Sequence, residues 1–248
     1  MTEAEWLASD DSEAMFVFAR DGVGDRKLRL FGVACCRRVW RHLIDPRSRA
    51  AVEVAELFAD GLVPTADLVQ AHWRAQQAYT AGGEAFHGRR PDLERPHSIS
   101  AHAAAAAVSN DEVRSTDALR GAAYSAFHNV SPYSNEELME SVRPEFAAQA
   151  PLLRCIVGNP FRPAAIEPAW LTSTVLALAH GIYEERAFDR TPILADALQD
   201  AGCENELVLA HLRHDGRGDR GEPMGGSPLT TAVHARGCWV VDLLLGKA

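Results

Sequence analysis

The sequence predicts an all-α protein, an irregular multi-helix bundle of about nine or ten helices. Three observations lead there. Alanine supplies 41 of the 248 residues while aromatics make up 7%, and alanine loses least on entering a helix whereas strands draw on β-branched and aromatic side chains. Apolar residues recur at three- and four-residue steps over most of the chain, as one face of a helix requires. No stretch of convincing length alternates as a strand does.

The elements follow in order. Thr2 and Glu5 form a capping box that opens a first helix carrying Trp6 and Leu7. A second spans about Ala14 to Arg20 and stops at Gly22 and Gly24. Asp25 then caps a long helix to about Leu43, with Leu28, Phe31, Cys35, Val39 and His42 on its inner face and Arg26, Lys27, Arg29, Arg37, Arg38 and Arg41 opposite. The next helix, Arg47 to about Asp60, presents Glu53, Glu56 and Asp60, charges that match those arginines. Gly61 closes it, and Pro64 and Thr65 start another to about Ala81. Residues 88–97 read as a loop, because prolines and arginines crowd a segment without apolar period. The alanine run Ala103 to Ala107 and the segment Thr116 to His128 read as helices with small side chains. Ser134 to Glu137 is a second capping box, opening a helix towards Val157 that Pro144 and Pro151 are expected to break or kink. After the turn at Gly158-Asn159-Pro160 come helices from Thr172 or Ser173 to about Ala187, from Ile193 to Ala201 with Gly202 as left-handed cap, from Leu207 to Leu212, and from Arg236 to Leu245. Residues 214–226, with five glycines, read as a mobile loop. The chain is expected to form a single helical domain over residues 1–248, with a subdivision into 1–87 and 98–248 as the alternative.

Composition narrows the function classes. Hydrophobic residues are 47% and charged residues 24%, which excludes a disordered or fibrous chain. The opening Met1-Thr2-Glu3-Ala4-Glu5-Trp6 is acidic and lacks the apolar run of a secretory leader, and the apolar run Cys238 to Leu245 is short and holds Asp242. Five cysteines without a C-x-x-C pair argue against a disulfide framework, so the expected compartment is the cytoplasm and no membrane partner is expected. With 25 basic against 34 acidic residues the net charge is −9, which makes nucleic acid an unfavoured partner. No Gly-rich phosphate loop follows a strand, so nucleotide chemistry has no support.

The strongest chemical constellation is Cys203, His211, His234 and Cys238, four residues of zinc-ligand type within 36 positions. Zinc takes four such donors in a tetrahedron, and an ion there would tie the final helix to the preceding pair. His214 is an alternative to His211. The competing account is that these side chains are buried and hydrogen-bonded, which is common for Cys and His near a helical core. Adjacent Cys35 and Cys36 bridge only with strain and read as core. His180 and Glu184 stand one turn apart and read as a surface pair.

Long phrases at both ends carry a resemblance. Asp25 to Phe31 (DRKLRLF), Ala34 to Arg38 (ACCRR), Ala51 to Glu56 (AVEVAE), Gly158 to Pro163 (GNPFRP), Ala187 to Arg190 (AFDR), Pro192 to Leu198 (PILADAL) and Arg236 to Lys247 (RGCWVVDLLLGK) resemble an uncharacterised, many-membered family of planctomycete-type bacteria. The middle, roughly 82–140, falls outside it. The resemblance implies no activity. It does imply Cys and His types at 203, 211, 234 and 238, and a shorter stretch before the final helix than the glycine-rich one here.

These readings lead to the expectation of a non-enzymatic protein that binds another protein, through the alanine-rich middle or the 214–226 loop. The alternative is a zinc-stabilised domain using Cys203, His211, His234 and Cys238, which becomes a metal-dependent hydrolase if one coordination position is open. A weaker reading is nucleic-acid binding through the basic helix at 25–43, by Arg26, Arg37, Arg38 and Arg41. Partner and oligomeric state are not legible.

Overall fold

In the structure, a computed structural model, the described residues are 1–86, 104, 106, 107, 109, 117, 118, 120, 135–214 and 234–247. Every regular element among them is helical: α1 (Glu3–Ala8), α2 (Ser12–Ala19), α3 (Asp25–Arg38), α4 (Pro46–Ala59), α5 (Thr65–Phe86), α6 (Asn135–Val157), α7 (Ser173–Glu185), α8 (Thr191–Asp200), α9 (Glu206–Arg213) and α10 (Trp239–Leu245). Short 3₁₀ turns stand at Trp40–His42, Pro168–Trp170 and Phe188–Arg190. Ala104, Ala106, Ala107, Asp117, Ala118 and Arg120 are helical too, while the rest of the two helices expected there, the cap at Ser134 and the loops expected at 88–97 and 215–226 lie outside the described residues. None of the described helices is long and apolar enough to cross a membrane.

Side chains set most starts. At α1, Glu5 Oε2 accepts from the Thr2 amide at 2.7 Å and Thr2 Oγ1 from the Glu5 amide at 3.3 Å, the reciprocal pair that satisfies two otherwise orphaned groups. Asp11 caps α2, Asp45 caps α4, Thr172 caps α7 and Asn205 caps α9. Several boundaries differ from expectation; α10 opens at Trp239 with Cys238 as its cap, because a turn occupies Arg236 and Gly237. Asp25 is the first helical residue of α3 and Gly24 its cap; the helix stops at Arg38, and a tighter turn follows that sets the Trp40 ring under Arg37 and Arg49, 5.2 and 5.5 Å from its centroid. α5 continues past Ala81 through Gly82 and Gly83 to Phe86, since glycine weakens a helix without blocking its hydrogen bonds. α6 runs unbroken through Pro144 and Pro151, which remove one amide donor each but leave the rest of the ladder intact.

The described residues fall into two compact units. The first holds Met1 and those from Ser9 to Ala150; the second holds 2–8, 151–214 and 234–247. In the first, the core joins Val33, Cys36, Leu43, Ala51, Val52, Ala55, Leu68, Ala71 and Ala75 with Ala104 and Ala107. Small residues let helices approach closely: a Cβ on Gly32 would stand 3.3 Å from the Ala118 methyl. Charges buried in this unit are paired. Arg38 holds Glu145 through two bonds of 2.6 and 3.1 Å, and Arg29 donates to the Ala107 and Ser109 carbonyls at 2.9 and 3.3 Å. Ser12 donates to Gln149 at 3.2 Å, and Phe16 stacks on Phe31.

In the second unit α1 is seated by Trp6, fully buried, whose indole N–H donates to the Gly158 carbonyl at 3.1 Å. Arg154 donates to the Trp6 carbonyl at 3.1 Å, and Asn159 and Arg162 hold Glu3 at 2.8 and 2.7 Å. Gly158 has φ +78°, and a Cβ there would come within 3.2 Å of the Trp239 ring, so both conformation and space demand glycine. The remaining core gathers Trp170, Val175, Ile182, Tyr183, Leu194, Leu198, Val208, Leu212 and Val240.

Two outcomes are expected. Trp6→Ala should lower unfolding stability by about 3–5 kcal/mol in urea titration, the usual cost of emptying a buried tryptophan site. Burial pushes the Cys36 thiol up from 9.0 to about 12, with Arg37 opposing, so the folded state holds a proton that the unfolded chain gives up. Stability from this group is therefore intact below about pH 9 and is lost as pH rises towards about 12. Between pH 9 and 10 a Cys36→Ala chain should lose about 1 kcal/mol less than the parent; equal losses would contradict this assignment.

Candidate metal centre

Four side chains of the second unit converge: Cys155, His211, His234 and Cys238, each offering one ligand atom, all four atoms within 4.8 Å of one another. Three stretches of chain deliver them. Cys155 lies in the last turn of α6, His211 on α9, and His234 and Cys238 flank the turn into α10. In that turn the Cys238 amide donates to the Ala235 carbonyl at 2.9 Å and Gly237 takes φ +94°, the third-position conformation for which a type II turn wants glycine. This reversal brings residues four apart to one locus.

The spacings suit a single tetrahedral ion. His211 Nε2 is 3.3 Å from Cys238 Sγ, and His234 Nδ1 is 3.5 Å from Cys155 Sγ and 3.9 Å from Cys238 Sγ. Zinc bonds of about 2.3 Å to sulfur and about 2.0–2.1 Å to nitrogen give S to N edges of roughly 3.6 Å. Donor accounting points the same way. His234 Nε2 lies 3.0 Å from the His214 carbonyl, which can only accept, so Nε2 carries a proton and, in the neutral ring, Nδ1 is the nitrogen left to act as a ligand. The Cys238 sulfur also has Cys155 and His211 as partners, so the four donors form one mutually engaged cluster into whose centre a cation would fit. The His214 carbonyl acts as the outer partner that fixes a ligating imidazole's tautomer and tilt. A Rieske-type cluster shares the two-Cys, two-His donor set but places the thiolates on one iron and the imidazoles on the other; here sulfur and nitrogen interleave.

The electrostatics favour a thiolate at Cys238. Burial raises the Cys238 thiol, but Cys155, His211 and His234 outweigh it and hold it well below its ordinary value. Burial lowers His234, and the Cys238 sulfur together with the His214 carbonyl more than restores it, for a net rise. Cys155, His234 and Cys238 are buried and His211 half-buried. The His211 ring stands edge-on to His234 at 4.9 Å and tilted against Trp239 at 5.2 Å.

Of the residues singled out from the sequence, His211, His234 and Cys238 meet here and Cys203 does not. The fourth position belongs to Cys155, 56 positions before His211 in the chain. Cys203 ends α8 instead: its amide donates to the Leu198 carbonyl at 2.9 Å and the Gly202 amide to Gln199 at 2.9 Å, the paired closure of a helix with a left-handed glycine, which turns the Cys203 side chain into the core. His214 enters through its backbone and leaves the ligand place to His211. A buried cysteine on the apolar face of a long helix reads as core, so local spacing held no signal for Cys155 beyond its place three residues before the Gly158 turn.

The other candidates are engaged elsewhere. Arg26 pairs with Asp60 at 3.0 Å and Arg37 with Glu56 at 2.6 Å, Arg38 is spent on Glu145, and Arg41 donates to His42 at 3.0 Å. Cys35 and Cys36 are buried free thiols, both pushed up chiefly by burial. His180 is exposed, and Glu184 lies 3.6 Å from Arg236. No protein-family model, curated protein or solved structure matches the chain.

Substitution separates the two ligand sets. Cobalt(II) added to the protein should give the strong visible bands of a tetrahedral thiolate site, lost in Cys155→Ser and kept in Cys203→Ser. Loss in Cys203→Ser alone would restore the ligand set read from sequence.

Proposed function

We propose that the protein is a helical binding protein whose second unit is stapled by a structural zinc ion held by Cys155, His211, His234 and Cys238. The observation that carries the proposal is the convergence of four soft and borderline donors within 4.8 Å from three separate stretches of chain. Two thiolates and two imidazoles favour zinc over magnesium or calcium, which take oxygen donors. Four protein donors complete the tetrahedron and leave no position for water or substrate, which supports a structural centre over the hydrolytic one. The ion would supply cross-linking energy to a unit whose final helix is seven residues long.

The binding role draws on the first unit. On α5, Val69 and Trp73 sit one turn apart, 47% and 63% exposed, with Leu62 at 65% just before the helix. Tryptophan is among the residues most enriched in protein-binding hot spots, and the exposed Val69 on the same face adds apolar surface beside it. The alanine-rich middle and the 214–226 loop fall largely outside the described residues.

Elemental analysis should find about one zinc per chain, and a strong chelator should lower the melting temperature by several degrees and shift tryptophan emission, because Trp239 packs on His211. Metal-free protein with an unchanged melt after zinc addition would overturn the proposal. Turnover of ester or phosphoester substrates that a chelator abolishes would favour the hydrolase instead.

A further inference from the structure

We propose that the Cys155 and Cys238 pair is a redox release for the metal: two-electron oxidation by a peroxide joins the two sulfurs in a disulfide and expels the ion. This rests on the zinc reading above. The geometric basis is that both sulfurs belong to a cluster no wider than 4.8 Å, so closing to a disulfide bond of about 2.05 Å is a movement of less than about 3 Å. Cys238 is placed to make that movement. It caps a seven-residue helix immediately after Gly237, the one residue of the turn at positive φ. On the other side Cys155 is anchored in the last turn of α6.

The remaining thiols are not rivals. Cys35 and Cys36 are neighbours on one helix, where side chains diverge and a bridge is strained, and burial keeps both protonated. Cys203 stands outside the cluster in the α8 closure, and burial raises its thiol also. Metal-bound cysteines are the ones held as thiolates, the nucleophilic form that attacks peroxide. Entry is from the half-buried His211 side, because both sulfurs are themselves covered.

The step balances. Two zinc–sulfur bonds break and one sulfur–sulfur bond forms; the sulfurs give up two electrons, the peroxide O–O bond takes them, and two protons complete two waters. His211 and His234 lose their common centre, and the ion leaves as Zn²⁺. The disulfide keeps two of the three segments that the ion joined, so α6 and α10 stay linked while α9 loses its hold through His211.

The test uses the full-length, zinc-loaded chain exposed to hydrogen peroxide, with released zinc followed by a chromophoric chelator and cysteine states mapped by alkylation and mass spectrometry. The expected result is about one zinc released per Cys155–Cys238 disulfide, with Cys35, Cys36 and Cys203 still alkylated as thiols. Dithiothreitol with added zinc should return the metal, and Cys203→Ala should respond as the parent does. Zinc retained under peroxide, release with sulfinic or sulfonic acid at these residues and no disulfide, or a bridge to Cys203 would each overturn the switch while leaving the zinc centre standing. A reduced protein that neither carries nor takes up zinc overturns both.

Discussion

Cys155, His211, His234 and Cys238 bring their ligand atoms within 4.8 Å of one another, and the second unit depends on that meeting because three separate stretches of chain must end at one point. The His234 ring is oriented by the bond from its Nε2 to the His214 carbonyl. Cys155 reaches the spot from the end of α6, three residues before the glycine whose carbonyl takes the Trp6 indole and whose bare Cα admits the Trp239 ring. Trp239 in turn lies against His211. The seat of α1, the end of α6, α9 and the start of α10 therefore share one locus.

The first unit solves a different problem. Its helices carry many alanines, which bury little area each, so stability depends on close approach and on leaving no charge uncompensated. Arg38 and Glu145 show the second requirement: an arginine and a carboxylate that water barely reaches face each other through two short bonds. Burial pulls Arg29 down to about 10, with Asp25 opposing, and its guanidinium remains a cation at neutral pH that two backbone carbonyls satisfy. The basic row along α3 thus serves internal pairing.

Local signals were legible where the physics is local. Capping at Thr2 and Glu5, the left-handed glycine at 202 and the match of Arg26 and Arg37 to Asp60 and Glu56 all follow from residues a few positions apart or from adjacent helices with complementary charge. Pro144 and Pro151 misled for the same reason: a proline's local penalty is real, but α6 absorbs it within a ladder of 23 residues. Cys203 misled because nearness in sequence to His211 stood in for nearness in space.

By itself the amino-acid sequence determined the helical class, most helix starts and stops, and the candidacy of His211, His234 and Cys238, because propensity, capping and spacing act over a few residues. Only the tertiary structure decided that Cys155 joins them, that Cys203 stays outside the cluster, and that α1 belongs with the far end of the chain. Cys155 lies 79 positions from His234 and Trp6 lies 152 from Gly158, and no short-range pattern encodes a contact whose partners are chosen by packing and donor geometry together.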